Sequence, residues 1–117
     1  IVTCHTSLNE NTYHIVDGGK FALMKSSAIL INTSRGSVVD EAALIDAISN
    51  GLIAGAGIDV FENEPVAPDN PLLSFSNVLS TPHMAGTTWD TWRRRAEFGF
   101  GNMDLVLQEK SPLSIVN

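Results

Sequence analysis

Ile29-Leu30-Ile31-Asn32-Thr33, then Asp40 through Gly51, then Ala54-Gly55-Ala56-Gly57-Ile58-Asp59-Val60-Phe61 follow one another along the chain, and their reading decides the fold. The first and last are continuous apolar runs rather than alternating ones, the pattern of strands buried on both faces of a parallel sheet. The middle tract reads as a helix. Asp40 stands at an N-cap, Glu41 lies in the first turn, Leu44, Ile45 and Ile48 recur along it, and Gly51 follows its last turn. Strand, helix, strand in that order is the unit from which α/β sheets are built.

Outward from that unit, Ile1 to Cys4 reads as a preceding strand and Asn77 to Thr81 as a following one. Asn9 to Met24 is expected to be helical, split into two short pieces at Gly18-Gly19, and the run from Thr87 or Thr88 to about Lys110 to be a long helix slackened by Gly99 and Gly101. Pro65 to Pro71 reads as a surface loop feeding a short turn at Leu72 to Phe75. The expected order is β-α-β-α-β-loop-β-α, with no internal repeat. The chain opens inside an apolar run and without Met, so these residues are expected to be a piece of a longer protein.

Composition narrows the function. The 117 residues suit one hydrophobic core. Seven Lys and Arg against thirteen Asp and Glu give a formal charge of −6, and only Arg93, Arg94 and Arg95 stand together. That balance carries no footprint for nucleic acid or an acidic membrane face. No run approaches the ~18 apolar residues of a membrane span. One cysteine excludes an internal disulfide framework and fits a reducing, cytoplasmic setting. With only three His beside it, no dedicated metal site is expected, and Cys4 next to His5 reads as a buried thiol beside a backbone-bonded imidazole.

In an open parallel sheet, ligands bind beyond the carboxyl ends of the strands. Ser34-Arg35-Gly36 follows one predicted strand, Glu62-Asn63-Glu64-Pro65 the next, and Pro82-His83 the last. Taken alone, Arg35 is a solvated loop residue, Glu64 a loop acid and His83 a structural histidine. Together they deliver a guanidinium, a carboxylate and an imidazole to one rim from positions as far apart as 35 and 83. The planar fork of Arg35 suits a carboxylate held bidentately. His83 suits proton exchange near neutral pH, and Glu64 could hold its other ring nitrogen.

Other patterns carry less. Gly55 and Gly57 lie inside a strand rather than after one, so they read as close packing of a helix on that strand and not as a phosphate loop. Ser34 lacks the context of a nucleophilic serine. Trp89 and Trp92, three residues apart on the last helix, read as packing or partner-interface residues, and Arg93 to Arg95 as charges spread around that helix.

Three segments, Ile31 to Glu41, Ala54 to Pro65 and Thr81 to Gly86, resemble in order and spacing the signature segments of the D-isomer specific 2-hydroxyacid dehydrogenase family. The likeness runs essentially end to end. It implies the second half of a Rossmann-like, doubly wound parallel sheet from a two-domain dehydrogenase, with residues 1–110 in the NAD(P)-binding domain and 111–117 a return segment toward the substrate domain. It implies an NAD(P)-dependent oxidoreductase of the full-length parent, interconverting 2-oxo acids and D-2-hydroxy acids of the glyoxylate, hydroxypyruvate or phosphoglycerate type. The family's Arg, Glu and His fall on Arg35, Glu64 and His83. Thr6, Thr33, Ser34, Asp59, His83 and Gly86 would touch NAD or NADP, with a small 2-oxo acid as substrate and a homodimer as the assembly. Ser7 stands where the family more often has Pro, and Glu64, rather than an amide, argues against formate as substrate. The alternative is an NAD-sensing module like the corepressors related to this family, which keep the same three residues.

Overall fold

The computed structural model describes residues 1–115; residues 116 and 117, the end of the expected return segment, lie outside the described residues. By its contacts the chain divides into two units, Ile1–Ala85 and Gly86–Asn117, each described here by itself.

The first unit is a four-stranded, all-parallel sheet of β1 (Val2–Cys4), β2 (Ile29–Asn32), β3 (Gly55–Ile58) and β4 (Val78–Ser80), in the order β1-β2-β3-β4. This is the Rossmann-like half-sheet expected from the sequence. Helices α1 (Gly18–Ala22) and α2 (Glu41–Ser49) bury Phe21, Leu44, Ala47 and Ile48 in one core with Leu30, Ala56 and Ile58. Sequential strands joined by right-handed crossovers place their connections on a single face, as each half of a doubly wound sheet requires. On the opposite face the row Thr3, Ile31, Gly57, Leu79 is less covered within this unit, and Leu79 is 73% exposed.

Helix α2 forms as its sequence reads. The Asp40 carboxylate accepts from the Ala43 N–H at 3.0 Å, and Gly51 follows in the left-handed region at φ 65°. Fully burying a side chain such as Leu44 contributes ~1.5–3 kcal/mol, so tertiary packing rather than propensity holds this nine-residue helix.

Two expectations are corrected. Asn9 to Met24 is not two helical pieces parted at Gly18-Gly19. Residues 9–14 are turns, the His14 N–H donates to the Ser37 carbonyl, Val16 bridges Val39, and the glycines open α1 behind Asp17, whose carboxylate accepts from the Lys20 N–H at 2.9 Å. Non-local backbone partners take the hydrogen bonds a helix there would need. Within the first unit the glycines of β3 meet Asn77 and Ile31 rather than a helix. A Cβ on Gly55 would run into the Asn77 carbonyl, and one on Gly57 would lie 2.9 Å from Ile31 Cδ1, so both admit neighbouring strands. β3 is shorter than its apolar run because the chain leaves the ladder after Asp59, whose N–H still donates to the Asn32 carbonyl, while Val60 and Phe61 stay buried.

Residues 62–70 contain no helix or strand, and a 3-10 turn at Pro71–Leu73 follows, capped by Asn70. In the second unit α3 (Trp89–Leu107) is continuous through Gly99 and Gly101, and the Thr88 hydroxyl accepts from the Thr91 N–H at its start. Arg93 pairs with Asp90, the Arg94 Nε donates to the Asp90 carbonyl, and the Arg95 guanidinium lies 6.0 Å from the Trp92 ring centroid. No described helix is long and apolar enough to cross a membrane.

Candidate active site

Because the strands are parallel and paired in register, Cys4, Asn32, Ile58 and Ser80 form one row across their carboxyl ends. The residues that follow them therefore leave the sheet along a single edge. Arg35, Glu64 and His83 line one cleft of about 210 Å³ there, together with Leu8 and Gly36. Beside it, Thr6, Thr33, Ser34 and Arg35 line a second cleft of about 610 Å³, and Leu8 and Arg35 border both.

His83 Nδ1 lies 2.8 Å from Glu64 Oε2, as the strand-end reading anticipates. Glu64 Oε1 accepts from the Phe61 N–H at 3.0 Å, so both carboxylate oxygens are fixed. The hydrogen bond to His83 and then that from Phe61 hold the Glu64 carboxyl below its usual range. His83 itself sits in the left-handed region at φ 53°, an uncommon conformation for a residue with a Cβ, and its N–H donates to the Asp59 carbonyl at 2.9 Å.

Asp59 makes that conformation tenable. It is buried, and its carboxylate accepts from the Thr81 hydroxyl, the Met84 N–H and the Ala85 N–H, gathering residues 81–85 around one anion. Burial raises its pKa, but the Thr81 hydroxyl and the two backbone donors outweigh it, and the carboxyl titrates below its usual range. Asp59, which the sequence leads one to expect against the cofactor, is seen here shaping the His83 loop.

Arg35 is placed by a residue the sequence reading passed over. Asn32 is buried at the end of β2; its Oδ1 accepts from the Ser34 N–H and hydroxyl, and its Nδ2 donates to the Arg35 carbonyl at 3.0 Å. An amide at the end of an otherwise apolar strand was the available signal. Gly36 has a stricter purpose than letting a ligand approach: a Cβ there would coincide with the Phe61 carbonyl, so the Arg35 loop lies directly on the chain leaving β3.

Among the described residues, the Thr6 and Thr33 hydroxyls have no hydrogen-bond partner, and both residues are exposed. Free hydroxyls beside an arginine fit the ribose and amide groups of a dinucleotide, so the residues present suit that end of NAD or NADP. Gly86 belongs to the second unit, where a Cβ would meet only Arg95 Nη2 at 3.8 Å. Cys4 is buried, which pushes its thiol pKa up, and His5 Nε2 pairs with the Thr3 hydroxyl rather than with backbone. One group of possible metal ligands appears among the described residues, His14, Asp40 and Glu62, with ligand atoms within 4.8 Å of one another. Its carboxylates already serve the chain: Asp40 caps α2 and Glu62 Oε1 accepts from the Glu41 N–H.

Residues 1–85 match the sequence profile described as D-isomer specific 2-hydroxyacid dehydrogenase, NAD binding domain. The whole chain is 44% identical to a glyoxylate reductase of Thermofilum pendens, covering 34% of that protein. It superposes with a TM-score of 0.90 on the D-lactate dehydrogenase of Lactobacillus jensenii solved with NAD+, at 31% identity over 98% of this chain and 38% of that one. With the NADPH-dependent glyoxylate/hydroxypyruvate reductase of Sinorhizobium meliloti, solved with NADP and malonate, the TM-score is 0.81 at 40% identity, over 92% of this chain and 34% of that one. The chain thus spans about a third of the length of the curated relatives it matches. With its half-sheet and its rim of Arg35, Glu64 and His83, the chain belongs to the D-isomer specific 2-hydroxyacid dehydrogenase family, residues 1–85 matching that family's NAD-binding domain.

Proposed function

We propose that the full-length protein is an NAD(P)-dependent dehydrogenase interconverting small 2-oxo acids and D-2-hydroxy acids, with glyoxylate and hydroxypyruvate as the favoured substrates. One observation carries the reading: Arg35, Glu64 and His83 line the same cleft, with His83 Nδ1 2.8 Å from Glu64 Oε2. The names of the relatives favour turnover over the sensing alternative.

In this reading Arg35 holds the substrate carboxylate through its fork and draws electron density toward the ketone oxygen. His83, its Nδ1 taken by Glu64, presents Nε2 to that oxygen and gives up a proton as the carbonyl becomes an alcohol. Glu64 keeps the ring oriented through its contact with Nδ1. NAD or NADP, held beside this rim, would supply the hydride chemistry. Thr6, Thr33, Ser34, Asp59, His83 and Gly86 are the proposed contacts to it. Residues 1–110 are assigned to the NAD(P)-binding domain and 111–117 to the return toward the substrate domain, in a cytoplasmic homodimer.

The test is NADH and NADPH oxidation by the full-length protein with glyoxylate, hydroxypyruvate, pyruvate and phosphohydroxypyruvate, wild type beside His83→Ala and Arg35→Ala. Turnover that collapses in both variants supports the reading and names the substrate. Retained NADH binding without turnover of any acid overturns it.

A further inference from the structure

Two glutamates outside the catalytic trio grip each other's backbone. The Glu41 N–H donates to Glu62 Oε1 at 2.9 Å, and the Glu62 N–H donates to Glu41 Oε2 at 3.0 Å. Asn70 Nδ2 donates to Glu41 Oε1 at 2.7 Å, and His14 Nε2 lies 2.7 Å from Glu62 Oε1, off the line of an aligned ring hydrogen bond. Both carboxylates sit at the start of α2, where a helix end favours negative charge.

We propose that Glu62, locked to Glu41, is a positioning residue for the Glu64–His83 pair. This rests on the dehydrogenase reading above. The lock holds the peptide after Phe61. On the other side Gly36, adjacent to Arg35, lies so close that a Cβ would meet the Phe61 carbonyl. Phe61 is thereby confined between the helix start and the arginine loop, and its N–H is the donor to Glu64 Oε1. The remaining oxygen of Glu64 meets His83 Nδ1. A shift of the Phe61–Glu62 backbone therefore moves the carboxylate against the imidazole, and through Gly36 it moves Arg35. Proton transfer and carboxylate binding would share one mechanical support, reached through residues that touch neither reacting atom.

The experiment compares Glu62→Ala and Glu62→Gln in the full-length holoenzyme by kcat, KM, dinucleotide affinity and a 13C NMR titration of the Glu64 carboxyl. Glu62→Ala is expected to lower kcat about tenfold to a hundredfold. It should leave dinucleotide affinity unchanged and move the Glu64 titration up toward an ordinary carboxyl, because residue 62 is then held by its N–H to Glu41 Oε2 alone and the Phe61 N–H loses its alignment. Glu62→Gln, whose amide oxygen still accepts from the Glu41 N–H, should recover most of the loss. An alanine variant with wild-type kcat per folded molecule and an unmoved Glu64 titration overturns the proposal, as does a glutamine variant damaged equally. Should Glu62→Ala not fold, Asn70→Ala frees Glu41 Oε1 without touching Phe61 and must produce both changes at smaller size; producing neither overturns the proposal too. If the wild type reduces no 2-oxo acid, the dehydrogenase reading fails by itself, while the Glu64 titration still decides whether Glu62 positions it.

Discussion

His83 and Glu64 stand nineteen residues apart in sequence, on the loops after β4 and β3, yet Nδ1 and Oε2 lie 2.8 Å from each other. The contact leaves Nε2 as the ring nitrogen outside it, and in the dehydrogenase reading proposed above the two side chains act as one unit. In the full-length enzyme His83→Ala is expected to lower kcat about 10²–10⁴-fold while dinucleotide affinity, measured by fluorescence titration, is unchanged. Glu64→Gln, which preserves shape but not charge, should cost less than His83→Ala. Equal losses would mean that Glu64 does more than orient and support the ring.

Arg35→Lys keeps the positive charge and removes the planar fork. A point charge on a flexible stem cannot reproduce bidentate binding. Steady-state kinetics should show KM for the 2-oxo acid rising about tenfold or more, with little change in dinucleotide affinity. An unchanged KM would place the substrate carboxylate elsewhere.

Gly36→Ala adds one methyl against backbone that has nowhere to go, since the Phe61 carbonyl is held by its own chain neighbours. The expected loss is about 3 kcal/mol in a denaturant titration, at the upper end of overpacking costs. Gly99→Ala, whose added methyl would meet nothing within 4 Å in its own unit, is the contrasting control and should be neutral or slightly stabilising.

The depressed titration of Asp59 and Glu64 predicts a pH dependence of stability. Groups that titrate lower in the folded than in the unfolded state release protons on folding, so their contribution is complete above the unfolded carboxyl range near ~4 and is lost as pH falls through the folded values. The thermal midpoint should therefore drop as pH is lowered below that range. In Asp59→Asn the drop should be shallower, at the cost of a lower midpoint at neutral pH. A midpoint flat through the acid range would contradict the hydrogen bonding described for these carboxylates.

The strands and their carboxyl edge were legible because buried parallel strands write themselves as apolar runs, and the trio is legible because each member lies in the loop that leaves one. What supports the trio was not. Asn32 looks like the tail of a strand and Glu62 like a loop acid until the backbone donors they serve are in view. Gly18-Gly19 reads as a break in a helix, whereas Asp17 uses it as a beginning. Glu62 serves a donor 21 residues away, whereas Asn32 and Asp17 serve backbone groups two or three residues on, which only the folded loops turn toward them.

Each strand of the first unit pairs with the next one in the chain: Val2 with Leu30, Ile29 with Gly55, Ala56 with Val78. Among the described residues no ladder waits for a partner from beyond the neighbouring connection, so the loops that must close here are short for a parallel sheet. Low contact order speeds folding, and the edge that carries Arg35, Glu64 and His83 should assemble strand by strand as the chain emerges. His83, on the loop after β4, completes that edge only when every earlier pairing is in place.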